Sequence, residues 1–169
     1  APSARIFASA DYGIRFCSTC HHRFAEMTPA PGHTRTVYDD SYFFGGGAGY
    51  ADYLAEADIL RATGSRYARI LRAFTPPGSL LDVGCAAGFI MEGFRDAGWK
   101  PAGLEPNPRM ADYARTHLAV EVHATSLEEF RSGPTFDLVT LIQVIGHLTN
   151  LQASLNVVRS VLRPGGHLL

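Results

Sequence analysis

The chain has 169 residues, room for about one domain, and its 46% apolar content supplies a buried core, which excludes a disordered chain. The net charge is −1, and the 15 cationic residues, all arginine except Lys100, are scattered, which excludes binding of nucleic acid through a basic block. Three cysteines are too few for a disulfide framework, no apolar run nears the ~18 residues of a membrane span, and no basic–apolar leader opens the sequence, so a cytoplasmic protein with no membrane partner is expected.

Residues 1–47 read as an irregular extension with one short hairpin over 12–24. It holds Cys17, Cys20, His21, His22 and His33, the loop-like run Thr28-Pro29-Ala30-Pro31-Gly32, and a Gly45-Gly46-Gly47 end that regular structure tolerates poorly. Cys17-Ser18-Thr19-Cys20 has zinc-knuckle spacing but supplies two of the four ligands zinc requires, so no complete metal site is expected in this chain. Tyr38, Tyr42, Phe43, Phe44, Tyr50 and Tyr53 form an aromatic stretch. It is expected to pack an N-terminal helix onto the domain; the alternative is a lid, with Tyr42 or Phe43 closing over a ligand.

From residue 48 the sequence reads as one domain to residue 169. Apolar positions at helical spacing predict a helix over 50–74, kinked or split at Gly64 and ended by Thr75-Pro76-Pro77-Gly78. Short apolar runs then alternate with helical segments. Strands are predicted at 79–83, 101–104, 120–123, 136–144 and from 167. Helices are predicted at 88–97, from Pro108 (N-capped by Asn107) to about 118, from the overlapping capping boxes in Thr125-Ser126-Leu127-Glu128-Glu129, and over 150–162. Five alternations of strand and helix predict an α/β fold with a mainly parallel sheet in the order 3-2-1-4-5, covered by helices on both faces. The sequence starts at Ala1 and stops in Leu168-Leu169, directly after Pro164-Gly165-Gly166. A longer protein, with further C-terminal strands missing here, is therefore expected.

The first of these strands runs through Asp82-Val83-Gly84-Cys85-Ala86-Ala87-Gly88 into a helix, a turn that aims backbone N–H groups and a helix start at a ligand. A dinucleotide fingerprint needs glycine at positions 1, 3 and 6. Here these are Gly84, Ala86 and Phe89, so an NAD(P)-dependent oxidoreductase is the weaker alternative. Positions 1, 3 and 5 are Gly84, Ala86 and Gly88, with one conservative replacement. Asp82 would repel a pyrophosphate but suits an ammonium group. Glu105, 21 residues after Gly84, can accept the two hydroxyls of a ribose. Cys85, inside the turn, reads as a small packing residue.

From about residue 79 to 169 the chain resembles the class I S-adenosylmethionine-dependent methyltransferases. The resemblance rests on Leu81-Asp82-Val83-Gly84-Cys85-Ala86-Ala87-Gly88, Gly103-Leu104-Glu105-Pro106-Asn107, Phe136-Asp137-Leu138-Val139 and Leu162-Arg163-Pro164-Gly165-Gly166, in order. It implies a Rossmann-like fold with S-adenosylmethionine as cofactor. Gly84, Ala86 and Gly88 would lie under its methionine part with Asp82 near the amino group, and Glu105 would hold the ribose. Pro106, Ser126 and Leu127 would border the adenine, and Gln143 and Val144 the transferred methyl. It also implies a methyl acceptor with an O, N or C nucleophile. A small molecule is expected before nucleic acid, and a non-catalytic module on the same fold is the alternative. Where related enzymes often carry Glu-His, this chain has Gly146-His147. His147 is the candidate general base, the plainer reading being a cap on the next element. Some enzymes of this type carry a zinc ribbon ahead of the catalytic domain, whose first cysteine pair would lie upstream of Ala1.

Overall fold

The structure, a computed structural model, describes residues 2–10, 12–26, 33–45, 47, 49–132 and 135–169. The run at 28–32 and Gly46 fall outside them. The chain divides into two compact units, Ala1–His33 and Thr34–Leu169.

The first unit corrects the expectation of an irregular extension. Strands β1 (Ser3–Ala8), β2 (Gly13–Cys17) and β3 (Arg23–Glu26) form an antiparallel sheet in the order β1-β2-β3. The hairpin predicted over 12–24 corresponds to β2 and β3; β1 carries almost no alternation of burial and gave no period-2 signal. Glu26 ties the three strands from one end, accepting from Arg5 Nε at 2.6 Å and Arg15 Nη1 at 2.7 Å. The turn from Cys17 to Cys20 is tight: His21 N–H donates to the Cys17 carbonyl at 2.9 Å, and His21 takes a left-handed φ of 61°. Backbone N–H groups of Cys20 and Thr19 lower the Cys17 thiol to about 7. Among the described residues no three His, Cys, Asp or Glu side chains gather to hold a metal.

Two five-residue helices follow, α1 (His33–Val37) and α2 (Asp40–Phe44). A 3-10 turn, Tyr53–Glu56, leads into α3 (Ala57–Leu71). Next come β4 (Ser79–Val83), α4 (Phe89–Asp96), β5 (Lys100–Leu104), α5 (Pro108–His117), β6 (Glu121–His123), β7 (Phe136–Thr140), α6 (Leu151–Val161) and β8 (Leu162–Leu168). The five strands are parallel and ordered β6-β5-β4-β7-β8, which in chain order is the predicted 3-2-1-4-5.

Strand alternation assigns the faces. Leu80 and Leu138 pack with Ala68 and Leu71 of α3 and Phe94 of α4. Leu81, Val83 and Val139 pack with Val158 and Val161 of α6. Covered on both faces, β4 buries every residue but Ser79, which explains its near-continuous apolar run.

Helix α3 passes through Gly64 without a break, so the predicted kink does not form. Gly64 is there for contact. A Cβ on it would stand 2.1 Å from the Ile90 carbonyl oxygen of α4, and one on Gly93 2.1 Å from the Arg61 carbonyl oxygen of α3. Alanine gains about 1 kcal/mol in a helix interior, but overpacking of backbone costs about 1–3 kcal/mol or more. Gly64→Ala is therefore expected to lower the thermal midpoint by several degrees; an unchanged or raised midpoint would show that the helices can separate at no cost.

Three further boundaries differ. Among the described residues no helix forms between β6 and β7: Phe130 N–H reaches the Ser126 carbonyl at 3.1 Å and closes one turn only. Strand β7 stops at Thr140, four residues early, and the chain beyond it turns left-handed at Gln143, with φ 59°. Strand β8 begins at Leu162 and contains Pro164, which an edge strand accommodates with the irregularity seen opposite Phe136 and Leu138. Among the described residues no helix is long and apolar enough to cross a membrane.

Candidate functional site

A cavity opens at the carboxyl ends of β4, β5 and β7, where the strand order reverses direction. Its floor is the turn after β4. Gly84, Ala86 and Gly88 all have left-handed backbones, with φ of 69°, 46° and 86°. Such alternate reversal concentrates backbone N–H groups in one place. A Cβ on Gly84 would meet Val144 Cγ2 at 2.7 Å, so the turn is closed down on the segment after β7. Gly88 begins α4 from beneath and is the one predicted site residue that does not line the cavity.

Two acids stand at the strand ends. Asp82 is 3% exposed and accepts from Thr140 Oγ1 at 2.6 Å. Burial pushes its carboxyl up to about 7 against the pull of that hydroxyl. Glu105, also 3% exposed, accepts from the Ala86 N–H at 2.8 Å and the Asn107 N–H at 2.7 Å. It too rises to about 7, chiefly through burial, with the two N–H donors opposing and Asp82 adding repulsion. Glu105 thus joins the glycine turn to the start of α5, whose N-cap is Asn107. The local sequence explains the arrangement: Pro108 begins the helix without needing a hydrogen bond to its own nitrogen, and Asn107 Oδ1 accepts from Met110 N–H at 3.0 Å.

Pro106, Ser126, Leu127, Gln143, Val144 and His147 complete the lining on the strand side. Nine of the ten cofactor and catalytic candidates therefore converge on one cavity: Asp82, Gly84, Ala86, Glu105, Pro106, Ser126, Leu127, Gln143 and His147. Cys85 lies there too, buried, its thiol pushed well up by burial.

The wall that sequence reasoning underrated is aromatic. Tyr38, Tyr42, Phe43, Tyr50 and Tyr53 all line the cavity and also pack together, mostly edge to face, with centroid distances from 4.8 to 5.7 Å. Packing and lining are thus one role. The density of tyrosine over 38–53 was the available signal; the bond between the Tyr38 hydroxyl and His147 Nδ1 had none. Phe89 at the start of α4 stacks on Tyr53 at 6.1 Å and fills the position where a dinucleotide fingerprint has glycine.

An open parallel sheet with a left-handed turn, a strand-end acid and a largely apolar cavity at the reversal point defines the Rossmann-like class of nucleotide-cofactor folds. Within that class the family is specific. The methyltransferase-domain profile matches residues 53–169, and the chain belongs to that family. The ubiquinone biosynthesis O-methyltransferase of Bradyrhizobium sp. (strain ORS 278) is 32% identical over 92 residues, which are 52% of this chain and 36% of that enzyme. Streptomyces venezuelae DesVI is similar in structure, with TM-score 0.60 and 32% identity, covering 69% of this chain and 52% of its own. CalS10 of Micromonospora echinaspora, an amino pentose methyltransferase solved with S-adenosylmethionine bound, gives TM-score 0.57 and 34% identity, covering 64% and 49%. The chain spans about half the length of these solved relatives and little more than a third of the curated one.

Proposed function

We propose that this chain is the S-adenosylmethionine-binding part of a methyltransferase that acts on a small-molecule acceptor. The observation that carries the reading is the pair of buried acids, Asp82 and Glu105, on either side of a left-handed turn at the strand ends. This donor set fits the cofactor. Ionised Asp82 suits its ammonium group, the N–H groups of the turn and the α4 start suit its carboxylate, and Glu105 suits paired ribose hydroxyls. A pyrophosphate in the same place would meet Asp82 and Phe89, which speaks against a nicotinamide cofactor. Pro106, Ser126 and Leu127 border the adenine in this reading, and Gly88 acts indirectly, by starting α4 where the turn needs it.

When bound, S-adenosylmethionine supplies a methyl group on a sulfonium, which an O, N or C nucleophile displaces in line. Proximity and orientation make up most of the catalytic demand. The aromatic wall excludes water, Gln143 borders the methyl, and His147 takes the proton from the acceptor. The similarity to a ubiquinone biosynthesis O-methyltransferase and to an amino pentose methyltransferase favours a small-molecule acceptor. The scattered arginines support the same reading over nucleic acid. A cytoplasmic location belongs to it too, supported by three cysteines without disulfides.

Calorimetric titration of the chain with S-adenosylhomocysteine, and with NADH in parallel, tests the cofactor. Micromolar affinity for the first and none for the second is the expected outcome. NADH binding alone would replace this reading with the oxidoreductase.

A further inference from the structure

The hydroxyl of Tyr38 is hydrogen-bonded to His147 Nδ1, and the two rings meet edge to face with centroids 5.1 Å apart. These residues are 109 positions apart in the chain. Tyr38 is itself held at both ends. Its backbone carbonyl accepts from Asn107 Nδ2 at 3.1 Å, and its ring packs edge to face on Tyr42 at 4.9 Å. Asn107 in turn gives its own N–H to Glu105. A continuous line of contacts therefore runs from the strand-end acid, through Asn107 and Tyr38, to His147. It leaves Nε2 as the ring nitrogen available to a bound acceptor.

We infer that Tyr38 is the positioning residue for His147: its phenol oxygen accepts the Nδ1 proton, so that Nε2 carries the lone pair inside the cavity. The inference rests on the reading of His147 as the base. An imidazole that must take a proton through Nε2 needs its single proton on Nδ1, and which nitrogen holds it is decided by the partner of the other. Free imidazole side chains prefer the opposite tautomer, so a dedicated acceptor at Nδ1 has a chemical purpose. A phenol serves because it is neutral: burial and the neighbouring Tyr42 hold Tyr38 further from ionisation than an ordinary tyrosine. In the transfer step the proton leaving the acceptor goes to Nε2, giving an imidazolium whose two N–H groups face the acceptor oxygen or nitrogen and the Tyr38 oxygen. No further reactant is required.

The tautomer is readable without knowing the acceptor. Side-chain nitrogen-15 spectra of the chain, recorded above the pH at which its imidazoles are charged, resolve protonated from bare ring nitrogens, and His147→Gln identifies the signals by their loss. The unaltered chain should show His147 with a protonated Nδ1 and a bare Nε2. Tyr38→Phe, which keeps the ring and deletes the hydroxyl, should move the proton to Nε2. Tyr42→Phe, which disturbs the same aromatic wall, should leave it in place. A proton on Nε2 in the unaltered chain, or a tautomer that Tyr38→Phe does not change, overturns the inference. S-adenosylhomocysteine titrated into the same unaltered sample reports separately on the cofactor, so failure there is distinguishable from failure of the Tyr38 assignment.

Discussion

Glu105→Ala is expected to bind S-adenosylhomocysteine at least 100-fold more weakly than the unaltered chain. A carboxylate that accepts two ribose hydroxyls makes two charge-assisted hydrogen bonds, each contributing about 1.5–3 kcal/mol, and a tenfold change in affinity corresponds to about 1.4 kcal/mol. The same substitution strands the N–H groups of Ala86 and Asn107, which now end on Glu105 at 2.8 and 2.7 Å. Leaving a buried donor without a partner costs about 1–3 kcal/mol, so the variant should also melt earlier. Glu105→Gln separates the two effects: its amide oxygen can keep one of the donors, and its affinity should fall between the other two proteins. Calorimetry on all three, with folding checked by circular dichroism, decides the matter. Equal affinity in Glu105→Ala would remove this residue from the cofactor site.

A second large effect should come from pH. Asp82 and Glu105 both sit at about 7 in the folded chain, well above ordinary carboxyl values of about 4. Between about pH 4 and pH 7 the folded chain therefore holds protons that the unfolded chain has released. The stabilisation from this source is whole below about pH 4 and is lost as pH rises through 7. The thermal midpoint of the ligand-free chain should fall between pH 5 and pH 8. Asp137 has the opposite sign: hydrogen bonds from Ser79 and the ion pair with Arg163 hold it low, so its contribution is lost only as the solution turns strongly acid. Binding reverses the trend. In the proposed site the cofactor's ammonium group needs Asp82 ionised, so affinity for S-adenosylhomocysteine should rise about tenfold from pH 6 to pH 8, with protons released on binding below pH 7. Comparing binding enthalpies in buffers of different ionisation heat measures that release. Flat stability over this range with no proton release would show both carboxyls already charged before binding.

Much of the site was legible because it is local. The turn after β4, Glu105 at the end of β5 and the Asn107-Pro108 start of α5 are short segments in which residue type dictates backbone shape, and each lies where the sequence placed it. What escaped depends on distance. Thr140 reaches Asp82 across 58 positions and Tyr38 reaches His147 across 109, and no periodicity encodes either meeting. Gly64 was read by its propensity, as a breaker, whereas the opposing carbonyl of Ile90 is what requires it. The capping boxes after β6 failed for a related reason. Glu128, the acid expected to close one of them, accepts instead from Ser154 Oγ at 2.8 Å, a partner 26 positions on. In the first unit β1 is recognisable only from its pairing with β2, because its side chains are nearly all exposed and leave no alternating pattern.

The left-handed conformation of Ala86 has a consequence for how this loop trades rigidity against ease of folding. An L-residue other than glycine in that region gives up roughly 1–2 kcal/mol, and Ala86 does so with its N–H already aimed at Glu105. The strain falls on the ligand-free and ligand-bound chain alike, so the strain itself weighs on folding, and affinity depends instead on how firmly the peptide is held. A glycine in its place would relieve the strain and would also free the peptide to point elsewhere. Thermal tolerance and cofactor retention would then move in opposite directions from a single methyl group, which makes this position a natural dial between a sturdier protein and a more faithful pocket.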